Sequence, residues 1–452
     1  MNAIEQYVAG LGLDAYLVGG AVRDELLGLE SKDADFLVPG VDHAGLRAKL
    51  APHGRVADLE VAGQLVGARL FPRDPEIHAL APAGIEFAPP RAERSTGPGR
   101  RDFEIVAGAD ISVEDDMRRR DFTVNAIARR LETGDLVDPL DGRGDLERRI
   151  LRTVSPRSFS EDPLRLVRGL RFVSQLDLDP DEETLAQMRE EATSVRLVSA
   201  ERIGGGLQAD GLGELSRLLL GARPAKALLL ARDTGVLVEL LPEFAPAIGF
   251  VQSSKRQHLP LDAHIFAVVQ AAADQGAPLA VRLAALLHDL GKPGDPGHHA
   301  QLGASLAAGV LDRLRYPTAL RRHVVAIVTW HSFHLAAVEP IDARRFLRRH
   351  GDTLALDLVA HRLADLAGKR PPEGEVERTL RFKELLLAER EQPHRLDQLA
   401  VDGADLIALG ATPGPALGGA LEELLSEVVD EPAANTREHL LDRARALLRS
   451  PA

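Results

Sequence analysis

With 452 residues, 45% of them hydrophobic, the chain is long enough for two to four domains with well-filled cores. It contains no cysteine, which excludes disulfides and thiolate metal sites and leaves His, Asp and Glu as side-chain metal ligands. A formal net charge of −13 and only 4% aromatic residues argue against wholesale coating of nucleic acid and against extended base-stacking platforms, though not against a local basic surface.

The opening MNAIEQYVAGLGLDAYLVGG lacks a basic start, an apolar stretch and a cleavage site, so no signal peptide is expected. No apolar run is long enough to cross a bilayer, and the cytoplasm is the simplest location. Residues 16–18 suggest a short buried strand, broken at Gly19-Gly20 before a helix over 21–27. A second strand ends at Asp35–Val38. Further strands are expected at 64–71, 84–88, 124–130 and 135–137. The Pro-, Gly- and charge-rich stretch 89–112 reads as a long loop. From Arg118 to Arg171 there are thirteen Arg, no Lys and nine acidic residues, a local excess that suits either solvated helix faces or phosphate contacts. Helical periodicity then dominates, at 161–175, 181–192, 199–208, 212–220, 223–233, 262–274, 278–290, 302–315 and 318–330. Prolines near 240–260 and at 371–372 mark boundaries. The expected fold is α+β: a small mixed-sheet head over 1–150, an all-α neck over 151–240, a helical domain over 241–370 and a helical tail over 371–452.

In Lys32-Asp33-Ala34-Asp35-Phe36, alternation along a strand aims both aspartates to one face. Two close carboxylates repel unless a cation binds between them, and Mg²⁺ suits carboxylate and phosphate oxygens. Upstream, Gly19-Gly20 join a strand to a helix start, where glycine lets backbone approach a phosphate. Arg23 could add a bidentate phosphate contact. The plainer alternative is a tight turn with an Arg23–Asp24 surface pair.

GGAVRD followed by KDADF resembles the first motif of the class II tRNA nucleotidyltransferase and bacterial poly(A) polymerase superfamily. Later segments resemble that superfamily's motifs in order: RRDFTVNA at 119–126, Asp138-Pro139, EDPLR at 161–165, and Glu201-Arg202-Ile203. The resemblance implies that Asp33 and Asp35 hold Mg²⁺ and catalyse nucleotidyl transfer. It implies that Gly19, Gly20, Arg23, Arg120, Asp121, Asn125, Asp162, Arg165 and Arg168 bind the nucleotide. Glu86 is a weaker candidate for a third carboxylate. On the expected helix 161–175, Asp162 and Arg165 share a face. Asp162 could accept from the amino group of C or A while Arg165 donates to the ring nitrogen, selecting CTP and ATP without a template. The alternative there is a plain salt bridge between the two.

A second set of residues centres on His288-Asp289 in LLHDLGK. The order His264, His288-Asp289, His299, His331, Asp365 resembles the HD phosphohydrolases. The resemblance implies one metal among His264, His288, Asp289 and Asp365, with His299 and His331 serving a second metal or a substrate phosphate. His298 and His334 compete for the last roles. The donor set suits a divalent transition metal or Mg²⁺, and implies hydrolysis of a phosphomonoester or a 2′,3′-cyclic phosphate.

The favoured function is addition of CCA to the 3′ end of tRNA from CTP and ATP, with tRNA lying along the Arg-rich neck and no membrane partner. Poly(A), CC-only or A-only addition is the alternative within the superfamily. The segment FLVPGVDHAGLRAKL after the aspartates is unlike the basic, aromatic stretch of poly(A) polymerases, and the 89–112 segment argues mildly against a CC-only enzyme. A third reading is an HD hydrolase with a non-catalytic head. The sequence leaves the oligomeric state open.

Overall fold

The short apolar segments of the first half pair into one mixed sheet. The computed structural model describes every residue except 30–34, 62–63, 96–102, 108–109, 206–210, 253–255, 336–337 and 450–452, and only the backbone of 61, 92–95 and 103–107. Two compact units emerge: Met1–Ile203 with Lys226–Leu240, and Gly204–Ala225 with Leu241–Ala452.

In the first unit the elements run α1 (Ala3–Ala9), β1 (Tyr16–Val18), α2 (Gly20–Leu26), β2 (Asp35–Leu37), α3 (His43–Leu50), β3 (Gly54–Val61), β4 (Gln64–Pro72), α4 (Pro75–Leu80) and β5 (Ile85–Ala88). Next come β6 (Arg91–Ser95), β7 (Phe103–Ala107), α5 (Val113–Arg118), β8 (Ala128–Arg130), β9 (Leu136–Val137) and α6 (Gly142–Glu147). Seven strands form one sheet in the order β3-β4-β5-β2-β1-β8-β9. The β2–β5 pair is parallel and its neighbours are antiparallel. Phe36 and Phe87 stack at 5.5 Å between ring centres, burying one face of the β2–β5 pair, where strand alternation puts them.

Several expectations need correction. The 89–112 stretch is not one loop: β6 and β7 pair antiparallel, Arg91 with Ala107 through Ser95 with Phe103. Residues 124–127 are not strand. Thr123–Asn125 coil into a tight helical turn in which Asn125 N–H donates to Phe122 O at 2.9 Å. β3 was hidden by its many polar residues. The helix expected over 161–175 is two helices, α7 (Ser158–Glu161) and α8 (Leu164–Leu176). Asp162 between them is extended, with φ −138° and ψ 101°, because a residue before proline is driven out of the helical region.

Beyond α8 the described chain is almost entirely helical: α9 (Glu182–Glu190), α10 (Ala200–Ile203), α11 (Glu214–Leu219), α12 (Pro224–Asp233) and α13 (Val236–Leu240). The second unit continues with α14 (Leu261–Asp274), α15 (Leu279–Leu287), α16 (His299–Arg313), α17 (Thr318–Trp330), α18 (Pro340–His350) and α19 (Asp352–Ala367). It ends with α20 (Glu375–Glu389), α21 (Gly403–Ala408), α22 (Pro415–Asp430) and α23 (Arg437–Arg449). A mixed-sheet head followed by a long all-α region therefore matches the expected class. Among the described residues, no helix is long and apolar enough to cross a membrane. Phe382, Leu386, Leu347 and Val359 anchor a core among α18, α19 and α20, and Leu424, Val428 and Leu440 anchor another between α22 and α23.

The Asp138-Pro139-Leu140-Asp141-Gly142 segment has a structural task. Asp138 accepts from the backbone N–H of Gly142 at 2.7 Å and of Arg143 at 2.9 Å. A Cβ on Gly142 would lie 2.1 Å from Thr123 O, so only glycine lets α6 sit against the turn that carries Asn125. Gly142→Ala is expected to destabilise the folded protein by about 1–3 kcal/mol through overpacking. Denaturant unfolding checks this. An unchanged midpoint would mean that the turn shifts freely.

Candidate functional site

Asp35 begins β2 and is exposed, while Phe36, Leu37 and Val38 after it are buried. Asp33 lies outside the described residues. On the adjacent parallel strand, Glu86 stands in register with Asp35. Since Phe36 and Phe87 occupy the other face, Asp35 and Glu86 share the open one. Glu86 forms an ion pair with Arg69 of β4.

Beside Asp35's strand, β1 runs into the Gly19 turn. Gly19 has φ +69°, a left-handed conformation that favours glycine. A Cβ there would also come within 2.6 Å of Arg120 Nη1. Gly20 opens α2, and Arg23 lies one turn along it. Arg23 does pair with Asp24, at 2.7 Å. Its other nitrogen, Nη1, donates to Asn125 Oδ1 at 2.7 Å. Asn125 Nδ2 donates to Asp121 Oδ1 at 2.9 Å, and Arg168 Nε donates to Asp121 Oδ2 at 2.8 Å. Burial alone would raise the Asp121 carboxyl, but Arg168 and the donors from Asn125 and Phe122 bring it down to about 2. Arg23 and Arg168 also lie over the Phe172 ring, at 5.1 and 5.7 Å. Five residues expected to act on a nucleotide, Gly19, Arg23, Asp121, Asn125 and Arg168, are thus held together with Arg120 beside them.

Arg120, expected to bind the nucleotide, belongs to a cluster of cations whose member Arg91 the sequence reading did not single out. Buried Asp116 accepts from Arg119 Nε at 3.1 Å, from Arg120 Nη2 at 3.3 Å and from Arg91 N–H at 3.1 Å. Burial works against its charge, yet Arg120 and Arg119 hold its carboxyl below the ordinary value. Burial pulls the Arg91 guanidinium down to about 10, with Arg119 adding repulsion, while Asp116 and Asp35 oppose the fall. Two guanidiniums and the Arg91 backbone N–H therefore close on one carboxylate, and the Arg91 side chain adds positive charge that both Asp116 and Asp35 feel. The mutual approach of Arg91, Asp116 and Arg119 depends on how β6 meets α5, which no local motif announces.

Asp162 and Arg165 are not partners on one helix face, because Asp162 is extended at the helix break. Asp162 Oδ1 accepts from Leu164 N–H at 3.1 Å, and Oδ2 accepts from Arg202 Nη2 at 3.3 Å. Arg165 is fixed by Ser158 O at 3.2 Å, by Glu161 at 3.3 Å and by Arg119 O at 3.1 Å. Much of the arginine excess of 118–171 is spent within the fold: Arg148 and Arg152 close on buried Asp145, and Arg143 pairs with Glu147.

The second unit gathers the histidines at helix ends. His264 lies on α14, His288 caps α15, His299 starts α16, His331 caps α17, and Asp365 lies on α19. Two groups could each hold a metal ion: His264, His288 and Asp365, and Asp289, His299 and His331. Asp289 faces both. Its Oδ2 is 3.4 Å from His264 Nε2 and 3.1 Å from His288 Nε2, while its Oδ1 is 3.6 Å from His299 Nε2 and 3.8 Å from His331 Nε2. In each of the four rings Nδ1 is anchored by a backbone carbonyl: Gly368 O for His264 at 3.0 Å, Ala285 O for His288 at 2.9 Å, Pro296 O for His299 at 2.9 Å and Val328 O for His331 at 2.7 Å. That bond fixes the tautomer and turns the Nε2 lone pairs inward, as metal-ligating histidines require. Among the described residues, none gives the buried His264 Nε2 or His288 Nε2 a hydrogen bond. Converging lone pairs and carboxylates make a centre that fits a cation.

Burial alone would raise both carboxyls. His288 and His264 beside Asp289, and His264 and Lys369 beside Asp365, instead hold them well below the ordinary range. Without a cation, burial opposes charge on His264 but Asp289 and Asp365 raise it to about 9, so its Nε2 carries a proton that a metal would displace, whereas burial and His288 bring His331 down to about 4. Gly291 makes the close packing possible, since a Cβ there would lie 2.3 Å from His299 O. His298 is exposed and pairs with Asp295 at 3.0 Å, and His334 is exposed. His361, which the sequence reading passed over, is fully buried among these rings.

Comparison with known proteins supports the nucleotidyltransferase head followed by a long helical region. The family model described as "Poly A polymerase head domain" matches residues 15–152, that described as "Probable RNA and SrmB-binding site of polymerase A" matches 177–248, and that described as "tRNA nucleotidyltransferase domain 2 putative" matches 307–444. In fold, the chain resembles the Bacillus stearothermophilus CCA-adding enzyme solved with CTP, with a TM-score of 0.71, 24% identity, and 99% of this chain and 98% of that one covered. It also resembles the Thermotoga maritima CCA-adding enzyme complexed with tRNA, with a TM-score of 0.58, 20% identity, and 99% and 94% covered. It is 34% identical over 415 residues to the multifunctional CCA protein of Cupriavidus pinatubonensis (strain JMP 134 / LMG 1197), covering 86% of this chain and 92% of that one. To the multifunctional CCA protein of Thioalkalivibrio sulfidiphilus (strain HL-EbGR7) it is 36% identical over 392 residues, 83% of either chain. At that identity over most of both lengths, the chain belongs to the multifunctional CCA protein family, within the superfamily of CCA-adding enzymes and poly(A) polymerases.

Proposed function

We propose that this protein adds CCA to the 3′ end of tRNA from CTP and ATP without a template, and that its second unit is an HD-type, metal-dependent phosphohydrolase. The observation that carries the first activity is the hydrogen-bonded chain Arg23–Asn125–Asp121–Arg168, which starts on the helix that follows β1, the strand paired with that of Asp35. The family membership supports the same reading.

Mg²⁺ held by Asp33 and Asp35 would supply activation of the tRNA 3′-hydroxyl and neutralisation of the departing pyrophosphate. Glu86, on Asp35's face, is positioned to serve as a third carboxylate. Gly19 and Gly20 bring backbone close to the triphosphate. Arg23 and Arg120 bind it, and Arg91 and Arg119 add positive charge. Asp121 stays ionised and fixes Asn125 and Arg168 against the nucleotide. Asp162 accepts from the amino group of cytosine or adenine, and Arg165, fixed by Ser158, Glu161 and Arg119, donates to the ring nitrogen. Arg202 holds Asp162 in place, which gives the Glu201-Arg202-Ile203 segment a task. The RNA is bound by the neck, where the RNA-binding family model matches residues 177–248, through phosphate contacts that weaken with salt.

In the second unit, divalent ions among His264, His288, Asp289, His299, His331 and Asp365 would supply Lewis acidity for hydrolysis of a phosphomonoester or 2′,3′-cyclic phosphate. His299, the most exposed of the six residues, marks the side from which substrate enters.

Incubation with tRNA lacking CCA and each labelled nucleotide is expected to give C, C and then A. Long A tracts, or no incorporation, would overturn this. Asp33→Ala is expected to abolish addition and leave chelator-sensitive phosphoester hydrolysis intact, and loss of both in a folded variant would contradict two separate centres. Asp162→Ala is expected to relax base choice or lower kcat by at least about tenfold. Unchanged selectivity and turnover would remove the protein-template reading.

A further inference from the structure

The buried imidazole of His361 is unaccounted for by the two three-residue groups. It lies on α19, one turn before Asp365, so the two share a helix face. Its ring centre is 5.0 Å from that of His288 and 5.6 Å from that of His331. His288 belongs to one group and His331 to the other, and their own rings are 5.2 Å apart. His361 therefore stands at the seam between the groups. It is 0% exposed, and among the described residues neither its Nδ1 nor its Nε2 has a hydrogen-bond partner.

An imidazole always carries a donor or acceptor at each nitrogen. Leaving such a group buried and unpaired costs about 1–3 kcal/mol, whereas leucine at the same place would cost nothing of that kind. The surrounding helices are apolar where they can be: Leu358, Val359 and Ala364 of α19 are all buried. A polar ring kept there against its own stability, in contact with histidines of both groups, has a partner that the polypeptide does not provide. Three rings about 5 Å apart at their centres also have the spacing of imidazoles that converge on shared ions.

We propose that His361 is a further metal ligand, which would join the donors of the two groups on either side of Asp289. This rests on reading the second unit as a metal centre. The ligand set becomes His264, His288, Asp289, His299, His331, Asp365 and His361, and the hydrogen bond missing from His361 is replaced by a bond to the ion.

The test uses the full chain, stripped by a chelator and titrated with Co²⁺, followed by calorimetry and by visible d–d absorption. Wild-type protein is expected to take up Co²⁺ with a spectrum of nitrogen and oxygen ligation. His361→Leu is expected to lose affinity for at least one ion by about 10-fold or more and to shift the d–d bands. The same variant, metal-free, should melt at or above the wild-type temperature, because an unpaired buried polar group has been removed. If His361→Leu fails to fold, His361→Gln is read the same way. If wild-type protein binds Co²⁺ and either folded variant keeps the same stoichiometry, affinity and spectrum, His361 is a packing residue and the proposal is overturned. If wild-type protein itself binds no Co²⁺, the metal-centre reading falls, and the assignment of His361 falls with it.

Discussion

The head is organised around a buried negative charge. Asp121 is almost without contact with solvent, and its carboxylate survives there only because Arg168, Asn125 and the Phe122 N–H all donate to it. Each donor belongs to a different piece of the fold: α8, the turn after the RRDFT segment, and the backbone that follows Asp121 itself. Through Asn125 the same charge reaches Arg23 on α2. Removing one partner of a buried charge is far more costly than the pair is worth, so these elements cannot drift apart singly. The result is a rigid row of donors beside the Asp35 strand, with orientation fixed before any ligand arrives.

The same economy explains why so many arginines are not surface decoration. Asp145 draws Arg148 and Arg152 onto α6, and Asp116 draws Arg119 and Arg120 onto α5. These carboxylates are nearly inaccessible, so their pairs are structural rather than screened by salt. What distinguishes the Asp116 cluster is its imbalance. Arg91, Arg119 and Arg120 surround one carboxylate, and burial weakens Arg91's hold on its proton. Such an excess of positive charge beside Asp35 is complemented by a polyanion, which a triphosphate supplies.

Much of this was legible in the chain, and the exceptions have physical reasons. Strand β1, the Gly19 break and β2 follow from alternation and glycine chemistry, and their places in the fold agree. Asp162 was misread as helical although Pro163 after it carried the contrary signal. A periodic apolar pattern outweighed a single local rule. The β6–β7 ribbon escapes the sequence because proline, glycine and charge across 89–112 resemble a loop and mask two short consecutive strands within it. Arg91 and Asp116 are 25 residues apart in sequence, and only the docking of α5 brings them together. His361 was passed over because a lone histidine on a helix usually packs in a core. Its lack of any partner becomes visible only in three dimensions.

The two proposed centres also differ in how their ligands are held, and the difference bears on how one chain could keep two metal chemistries apart. The head offers the carboxylates of Asp35 and Glu86 on the open face of two central strands of a sheet, with arginines nearby. Oxygen ligands alone suit Mg²⁺, which keeps water and phosphate in its shell. The second unit offers imidazole Nε2 atoms, each locked inward by a backbone carbonyl, around a shared carboxylate. Imidazole favours transition metals over Mg²⁺, and buried rings with fixed tautomers have little orientational entropy left to lose on binding. With no cysteine anywhere to attract softer ions, ligand type and rigidity would together favour a different ion at each proposed centre. Separation of the metals then follows from the side chains themselves and needs no barrier between the two sites.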